Sequence, residues 1–361
     1  MGLNTEFYRG RRVLITGHTG FKGAWLAIWL NHIGASVSGI ALDPSTERDL
    51  YLLAGLDKRI SDHRADIRDL DEVFRIIENE KPETVFHLAA QSLVLEGYKD
   101  PVTTFDTNVI GTLNILEACR RSDSVKEVII ITTDKVYENR EQMSGYREED
   151  PLGGHDPYSA SKACAEIVTQ SYRRSFLSEA VGRVNGLAVC TARAGNVIGG
   201  GDWAADRLIP DCVRALESHE QVRLRNPGSV RPWQHVLEPL SGYLMLGWKA
   251  SADPAKFAGA WNFGPDSSYA VSARALVSDF IGCWGSGSIS DVSEGTGFHE
   301  AGILLLDPGK AIRELKWSPV LDLPGALRLT ADWYKSYRTR NVYDLCVQQI
   351  EYYSELWNSG S

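Results

Sequence analysis

The chain has 361 residues, 43% of them hydrophobic and 24% charged, which is the make-up of an ordinary globular protein with a core in one or two domains. The net charge of -9 argues against a surface built for nucleic acid or for an anionic membrane. No apolar run is long enough to span a bilayer, and neither a repeat nor a low-complexity linker interrupts the chain.

In chain order, Val13 to Ile15 read as a short buried strand, Gly17, Gly20 and Gly23 follow at a spacing of three, and Ala24 to Leu30 read as a helix. Strand, glycine turn and helix in this order can hold a dinucleotide pyrophosphate. Glycine lets the backbone approach the phosphates, and the helix N-terminus offers free N–H groups and a positive dipole end. The bland alternative is an ordinary glycine turn, because glycine triplets alone carry little weight. Val37 to Leu42 read as the second strand and end at Asp43. An acid there, about 20 positions after the loop, would meet the adenosine ribose. As a plain turn acid before Pro44 it would do nothing. The two features together favour the nucleotide.

Ser61 to Ala65 lead into Asp66-Ile67-Arg68-Asp69, and Asp69 caps an amphipathic helix through Val73, Phe74, Ile76 and Ile77. Thr84 to Leu88 form the next strand, running into Ala89, Ala90 and Gln91. A long helix follows Pro101, Val128 to Thr132 form a fully buried strand, Pro157 opens a further helix, and Leu187 to Arg193 hold another strand. This alternation predicts an α/β fold, a Rossmann-type doubly wound parallel sheet, with ligands beyond the carboxyl ends of its strands. Residues 1–192 are expected to form this dinucleotide-binding domain. From 193 to 361 the pattern loosens into a smaller, loop-rich substrate domain, with the chain rejoining the first domain over about 231–250. Helices are expected near 206–218, 237–250, 272–283, 308–315 and 323–336, and the last dozen residues are expected to fray.

Tyr158 and Lys162 lie four apart at a helix start, which stacks them on one face. A lysine cation would favour the phenolate of a tyrosine whose free pKa is about 10. Such a phenolate can take a proton from a sugar or alcohol hydroxyl. Alone, the pair is most simply a pair of helix-surface neighbours. Its setting changes this: a buried strand ends abruptly in Thr132-Thr133-Asp134-Lys135. An ion pair leaving the core is one reading of Asp134 and Lys135. The other puts Thr133 beside the phenol with Asp134 and Lys135 at the substrate, for chemistry beyond one hydride transfer. Arginines at 193, 207, 225 and 231, in glycine- and proline-rich loops of an acidic chain, point to a pocket for a diphosphate. Cys119, Cys164, Cys190, Cys212, Cys283 and Cys346 show neither metal nor redox spacing, so no metal is expected. They read as reduced thiols of a cytoplasmic protein, and no apolar signal region follows the N-terminal charges.

Thr16-Gly17-x-x-Gly20-x-x-Gly23, His87-Leu88-Ala89-Ala90, Asn108 and Tyr158-x-x-x-Lys162 together resemble the extended short-chain dehydrogenase/reductase family. The long stretches RAGNVIGGGDWAADRLIPD from Arg193 and RPWQHVLEPLSGYL from Arg231 are similar to its nucleotide-sugar 4,6-dehydratases, above all to those acting on CDP-glucose. The resemblance implies a tightly bound NAD that is regenerated in each turnover. Gly17, Thr19, Gly20, Phe21, Lys22, Gly23, Asp43, Asp66, Ile67, Leu88, Ala89, Ala90, Gln91, Asn108, Thr132, Tyr158 and Lys162 would contact it. Thr133, Asp134, Lys135, Tyr158 and Lys162 would be the catalytic set. Asn196, Arg207, Leu208, Arg225, Arg231, Gln234 and Asn262 would contact the nucleotide sugar. It also implies a CDP-4-keto-6-deoxyglucose product that enters deoxysugar synthesis. A homodimer or dimer of dimers would form through the helices near 101–121 and 157–175. Lys135 as C5 base and Asp134 as C6 acid is one division of labour; a charged Lys135 that steadies the enolate is another. The chain departs from the family at Val94-Leu95-Glu96-Gly97-Tyr98 and at Gln142-Met143-Ser144. This leaves a UDP-N-acetylhexosamine, dTDP- or GDP-hexose open as substrate. A nucleotide-sugar 4-epimerase and an NAD-binding regulatory protein are the readings from other classes.

Overall fold

The computed structural model describes residues 5–177, 186–265, 270–291 and 302–359. Its centre is a sheet of seven parallel strands: β1 (Arg12–Thr16), β2 (Ser36–Ala41), β3 (Ser61–Arg64), β4 (Thr84–His87), β5 (Glu127–Ile131), β6 (Ala188–Ala194) and β7 (Gly259–Phe263). They lie side by side in the order β7-β6-β5-β4-β1-β2-β3. The central strands β1, β4 and β5 are short runs rich in apolar and β-branched residues and are buried on both faces, as a helix-covered parallel sheet requires, whereas the edge strand β3 is polar and only partly buried. Alternate residues feed opposite cores: Val13 and Ile15 pack on one face and Leu14 on the other, and Ile129 and Ile131 oppose Val128 and Ile130. The order of strands reverses between β1 and β4, and this is where doubly wound sheets bind their ligands.

Eight helices position the site. They are α1 (Phe21–His32), α2 (Leu70–Glu80), a rod α3 made of Pro101–Phe105, a π-turn Asp106–Ile110 and Gly111–Arg121, α4 (Pro157–Phe176), α5 (Leu208–Glu217), α6 (Leu237–Ala252), α7 (Leu323–Ser336) and α8 (Val342–Ser359). The expected Asp69 cap is present, accepting from the Glu72 amide at 3.0 Å. Every residue of α1 from Gly23 to Leu30 is buried, because the helix is sandwiched between the sheet and α8. Two outward faces remain apolar: Val102, Phe105 and Ile110 on α3, and Ile167 and Phe176 on α4, are exposed.

The C-terminus differs from expectation. Residues 342–359 form α8, and Leu345, Cys346, Ile350, Tyr353 and Trp357 repeat at three- and four-residue intervals along its buried side. Burying each large apolar side chain contributes about 1.5–3 kcal/mol, so α8 stays packed on α1 rather than fraying. The chain beyond 193 also returns to the sheet, with α6 packed on β5 and β6 and with β7 paired to β6. Among the described residues no helix is long and apolar enough to cross a membrane.

Candidate active site

A cavity of about 1100 Å³ opens over the carboxyl ends of the central strands. At its edge the chain leaves β1 and turns at Gly17, whose φ is +77°. A Cβ on Gly17 would lie 2.7 Å from the Ala89 amide nitrogen, and a Cβ on Gly23 would lie 2.1 Å from the Gly17 carbonyl oxygen. The first glycine is therefore required by backbone conformation and by the approach of β4. The third is required by the seating of α1 on the turn. Gly20, the N-cap of α1, provides no side-chain cap, which leaves the first N–H groups of that helix to a ligand. Thr19, Gly20, Phe21 and Lys22 line the cavity. Burial lowers the Lys22 amine to about 8, the Arg207 cation adds to this, and Asp134 and Asp202 oppose it.

Asp43 lines the cavity with its side chain 89% exposed, and Arg64 Nε lies 3.5 Å from its carboxylate. Two other cations go elsewhere, Arg48 to Glu217 and Lys22 into the buried wall. Asp66 also lines the cavity, with its carboxylate held by Arg68 at 2.6 Å. Ile67 fills the notch over Gly111, where a Cβ would meet it at 2.4 Å. Leu88, Ala89, Ala90 and Gln91 form the wall after β4. Asn108 does not line the cavity. Its amide accepts from the Gln91 N–H and donates to Gln91 O and to Ser161 Oγ, each at 2.9 Å. Buried in the π-turn, it has its hydrogen bonds satisfied inside the protein and shapes the wall from behind.

The Tyr158 and Lys162 face is built by the start of α4, where Asp156 accepts from the Ser159 amide at 3.0 Å and Pro157 occupies the first turn. Lys162 Nζ donates to the Ile131 carbonyl at 3.0 Å, which ties α4 to the end of β5. Burial lowers this amine to about 8, Lys22 lowers it further, and Glu166 opposes. The Tyr158 phenol is pushed up to about 12 by burial, while its hydrogen bond to Thr133 pulls the other way. Thr132, Thr133, Asp134 and Lys135 line the same cavity. Thr133 Oγ1 donates to Asp134 Oδ1 at 2.9 Å. Asp134 Oδ2 is buried and has no hydrogen-bond partner among the described residues. Burial raises the Asp134 carboxyl above the usual range, against the pull of Lys135 and Thr133. A phenol, an amine, a hydroxyl and a carboxyl raised by burial thus converge on one space, the groups needed to take one proton from a sugar hydroxyl and deliver another to a leaving one. The departing segment, Val94 to Tyr98, lies in a short helix, Val94–Lys99, and Gly97 brings it so close to α4 that a Cβ there would sit 3.2 Å from the Tyr158 amide.

On the far wall stand Asn196, Arg207, Leu208, Arg225 and Arg231. Arg207 crosses the cleft, pairing with Asp202 at 2.9 Å and donating to Ser92 Oγ at 3.1 Å. Arg225 pairs with Asp206 at 2.9 Å, and Arg231 donates to the Val230 and Gly302 carbonyls at 2.8 and 3.0 Å. Three sequence expectations shift. Gln234 and Asn262 do not line the cavity: Gln234 donates to Phe263 O at 3.0 Å, and Asn262 joins Tyr137 and the Tyr146 carbonyl at 2.7 and 2.8 Å. Arg193 is not an anion ligand, because its guanidinium is buried against Glu166 at 2.9 Å. Asp202 and Ser92 were missed by sequence reasoning. So were Trp203 and Trp233, which line the cavity and whose buried Nε1 groups lack partners among the described residues. None of these lies at a helix or strand period, so only their loops' packing brings them in. Among the described residues no cluster of His, Cys, Asp and Glu could hold a metal ion.

Residues 14–260 match the family model described as GDP-mannose 4,6 dehydratase. The chain belongs to this family. As a member of the GDP-mannose 4,6-dehydratase family it is 45% identical, over 93% of its own length and 93% of the relative's, to the CDP-glucose 4,6-dehydratase of Salmonella typhimurium. Its fold is similar to the dTDP-glucose 4,6-dehydratase of Streptomyces venezuelae solved with NAD, at a TM-score of 0.77 and 26% identity over 91% of this chain and 98% of that one. It is also similar to the UDP-glucose 4-epimerase of Thermus thermophilus solved with NAD, at a TM-score of 0.75 and 25% identity over 90% and 99%. Dehydratase and epimerase are thus alike in fold to this family member, and the choice between them rests on the cavity and on the 45% identical relative. The cradle at Gly17 and Gly23, which a Cβ would fill, and the uncapped start of α1 fit a dinucleotide.

Proposed function

We propose that the chain catalyses the NAD-dependent 4,6-dehydration of CDP-glucose to CDP-4-keto-6-deoxyglucose, a hydro-lyase reaction. The observation that carries this reading is the meeting of Asp134 and Lys135 with Thr133, Tyr158 and Lys162 at one cavity, in a chain 45% identical to a CDP-glucose 4,6-dehydratase. Gly17 to Gly23 and Asp43 would hold NAD, which when bound would accept the hydride from C4 and return it to C6. Tyr158 takes the proton of the C4 hydroxyl, with Thr133 hydrogen-bonded to its oxygen and Lys162 supplying positive charge. The C4 ketone makes the C5 hydrogen acidic. Lys135 takes that proton, Asp134 gives a proton to the C6 hydroxyl, and water leaves. A proton returned to C5 completes the product. Asn196, Arg207, Leu208, Arg225 and Arg231 are the proposed contacts to the nucleotide sugar, with the arginines on its diphosphate.

Residues 1–192 serve the dinucleotide and residues 193–361 the nucleotide sugar in this reading. The exposed apolar faces of α3 and α4 support a homodimer or a dimer of dimers built on those helices. Six free cysteines, four of them buried, support a reducing, cytoplasmic setting. The test is an alkaline absorbance assay for the 4-keto sugar, run across CDP-, dTDP-, GDP- and UDP-hexoses. Signal with CDP-glucose above the others is expected. A UDP- or dTDP-sugar as the best substrate would move the specificity, and interconversion of C4 epimers with no keto sugar would replace the dehydratase by an epimerase.

A further inference from the structure

Behind the acid–base residues lies a buried charged pair that the reaction does not itself use. Glu166 sits on α4, one turn beyond Lys162, and its side chain and that of Arg193 on β6 are each 3% exposed. Both carboxylate oxygens are doubly occupied. Oε1 accepts from Thr132 Oγ1 at 2.6 Å and from Arg193 Nε at 2.9 Å, and Oε2 accepts from Thr191 Oγ1 at 2.7 Å and from an Arg193 terminal nitrogen at 2.9 Å. The other terminal nitrogen of Arg193 donates to the Tyr137 hydroxyl at 2.7 Å and to Glu148 O at 3.2 Å, and Tyr137 passes the chain on to Asn262 at 2.7 Å. A buried ion pair is weak evidence for stability, because desolvation offsets most of its attraction. What this pair does geometrically is specific. It bonds the helix that carries Tyr158 and Lys162 to Thr132, the residue that leads into Thr133-Asp134-Lys135, and to β6 beside it.

We propose that Glu166 and Arg193 are positioning residues that hold these two catalytic segments in register and that Glu166 supplies the counter-charge behind Lys162. This rests on the proposed function for the roles of the segments, not for the pair's geometry. Lys162 feels Glu166 from its own helix and Lys22 from α1, while His87 on β4 is kept neutral by burial, which lowers its imidazole to about 3. Tyr158 feels Asp134 and Arg207 from the two facing loops and Asp156 from its own N-cap. Glu166 is the one acid among the groups that act on Lys162 directly. Its removal leaves Lys22 unopposed, so the Lys162 amine gives up its proton at lower pH.

Competitive acetylation of Lys162 across pH, read by mass spectrometry on the full chain, measures that titration without substrate. Glu166→Gln keeps the size and removes the charge, and should move the Lys162 midpoint to lower pH. Glu166→Asp keeps the charge and shortens the reach. It should leave the midpoint in place but lower kcat by about 10²-fold with little change in KM, the cost of slight misplacement. Should Glu166→Gln not fold, Glu166→Gln with Arg193→Gln removes the orphaned cation and is read in the same way. An unchanged midpoint in the neutral variant, or full kcat in Glu166→Asp, overturns the proposal. Absence of keto-sugar formation by the unaltered chain would instead remove the functional reading and leave the Lys162 titration to decide on the pair.

Discussion

The Thr133 hydroxyl donates to Asp134 Oδ1 at 2.9 Å and leaves Asp134 Oδ2 buried without a partner among the described residues. A Cβ on Gly195 would stand 3.2 Å from that oxygen, so the glycine keeps the space in front of it open. A carboxyl so placed is raised by burial and stays protonated to higher pH than a free one. As an acid it loses its proton as pH rises through the raised pKa, so turnover should fall on that alkaline side. Asp134→Asn should abolish this limb and slow water loss by about 10²–10⁴-fold, yet still exchange the C5 hydrogen in deuterated water. Lys135→Met should give the reverse pattern, substrate oxidation without C5 exchange. Proton NMR of the sugar distinguishes them, and rapid exchange by the Lys135 variant rules the lysine out as base.

Tyr158→Phe keeps the ring that packs at the start of α4 and removes the phenol. Turnover should drop by about 10²–10⁴-fold, with neither keto sugar nor C5 exchange, while calorimetry still shows NAD binding. Near-native turnover by this variant would mean that the phenol is not the base.

Gly23→Ala would drive a methyl to 2.1 Å from the Gly17 carbonyl oxygen. The turn must shift, at a cost of about 1–3 kcal/mol. Denaturant unfolding should show the loss, and NAD affinity should fall with it. Gly228→Ala, where a Cβ meets nothing within 4 Å, serves as the control and should change neither.

Cofactor choice should follow Asp43. Its carboxylate repels a 2′-phosphate, so NAD should bind more tightly than NADP. Arg64, 3.5 Å away, is the cation an incoming phosphate would find. Asp43→Ala should therefore narrow the preference, and Asp43→Ala with Arg64→Met should weaken NADP again. Calorimetry with both dinucleotides reads this out; tighter NADP binding by the unaltered chain contradicts the assignment.

Glu238 is buried where α6 meets α8, accepting from the Tyr353 hydroxyl and the Leu321 amide, each at 2.7 Å, and burial pushes its carboxyl up to about 7. A raised folded-state pKa stabilises the fold below the unfolded value, and that contribution is lost as pH rises from the ordinary carboxylate range through about 7. The loss is about 3 kcal/mol. Glu238→Gln should melt higher than the unaltered chain at pH above 8 and about equally at pH 5. Parallel melting curves at all pH values would show that Glu238 does not titrate within the fold.

Sequence by itself determined whatever depends on local periodicity and spacing. The strand, glycine turn and helix at residues 12–32, the Asp69 and Pro157 helix starts, the four-residue step from Tyr158 to Lys162 and the polar end of β5 are all local, and local rules reach them. The π-turn inside α3 left no mark in the sequence, because it breaks period in only one turn. Asn108, Gln234 and Asn262 are ligand contacts only by what the family resemblance implies. Their hydrogen bonds close on Gln91, Phe263 and Tyr137, partners set only when distant segments pack. Arg193 and Arg207 look alike as arginines in one loop-rich stretch. Tertiary structure decided between them, by burying a glutamate from α4 against the first and leaving the second across the cleft between Asp202 and Ser92. The same holds for α8, whose apolar residues are spaced for a helix but are held down because α1, α6 and α7 offer surfaces to receive them. Pairings across the sheet and between helices are long-range choices made by burial and hydrogen-bond satisfaction, and those energies exist only once the chain is folded.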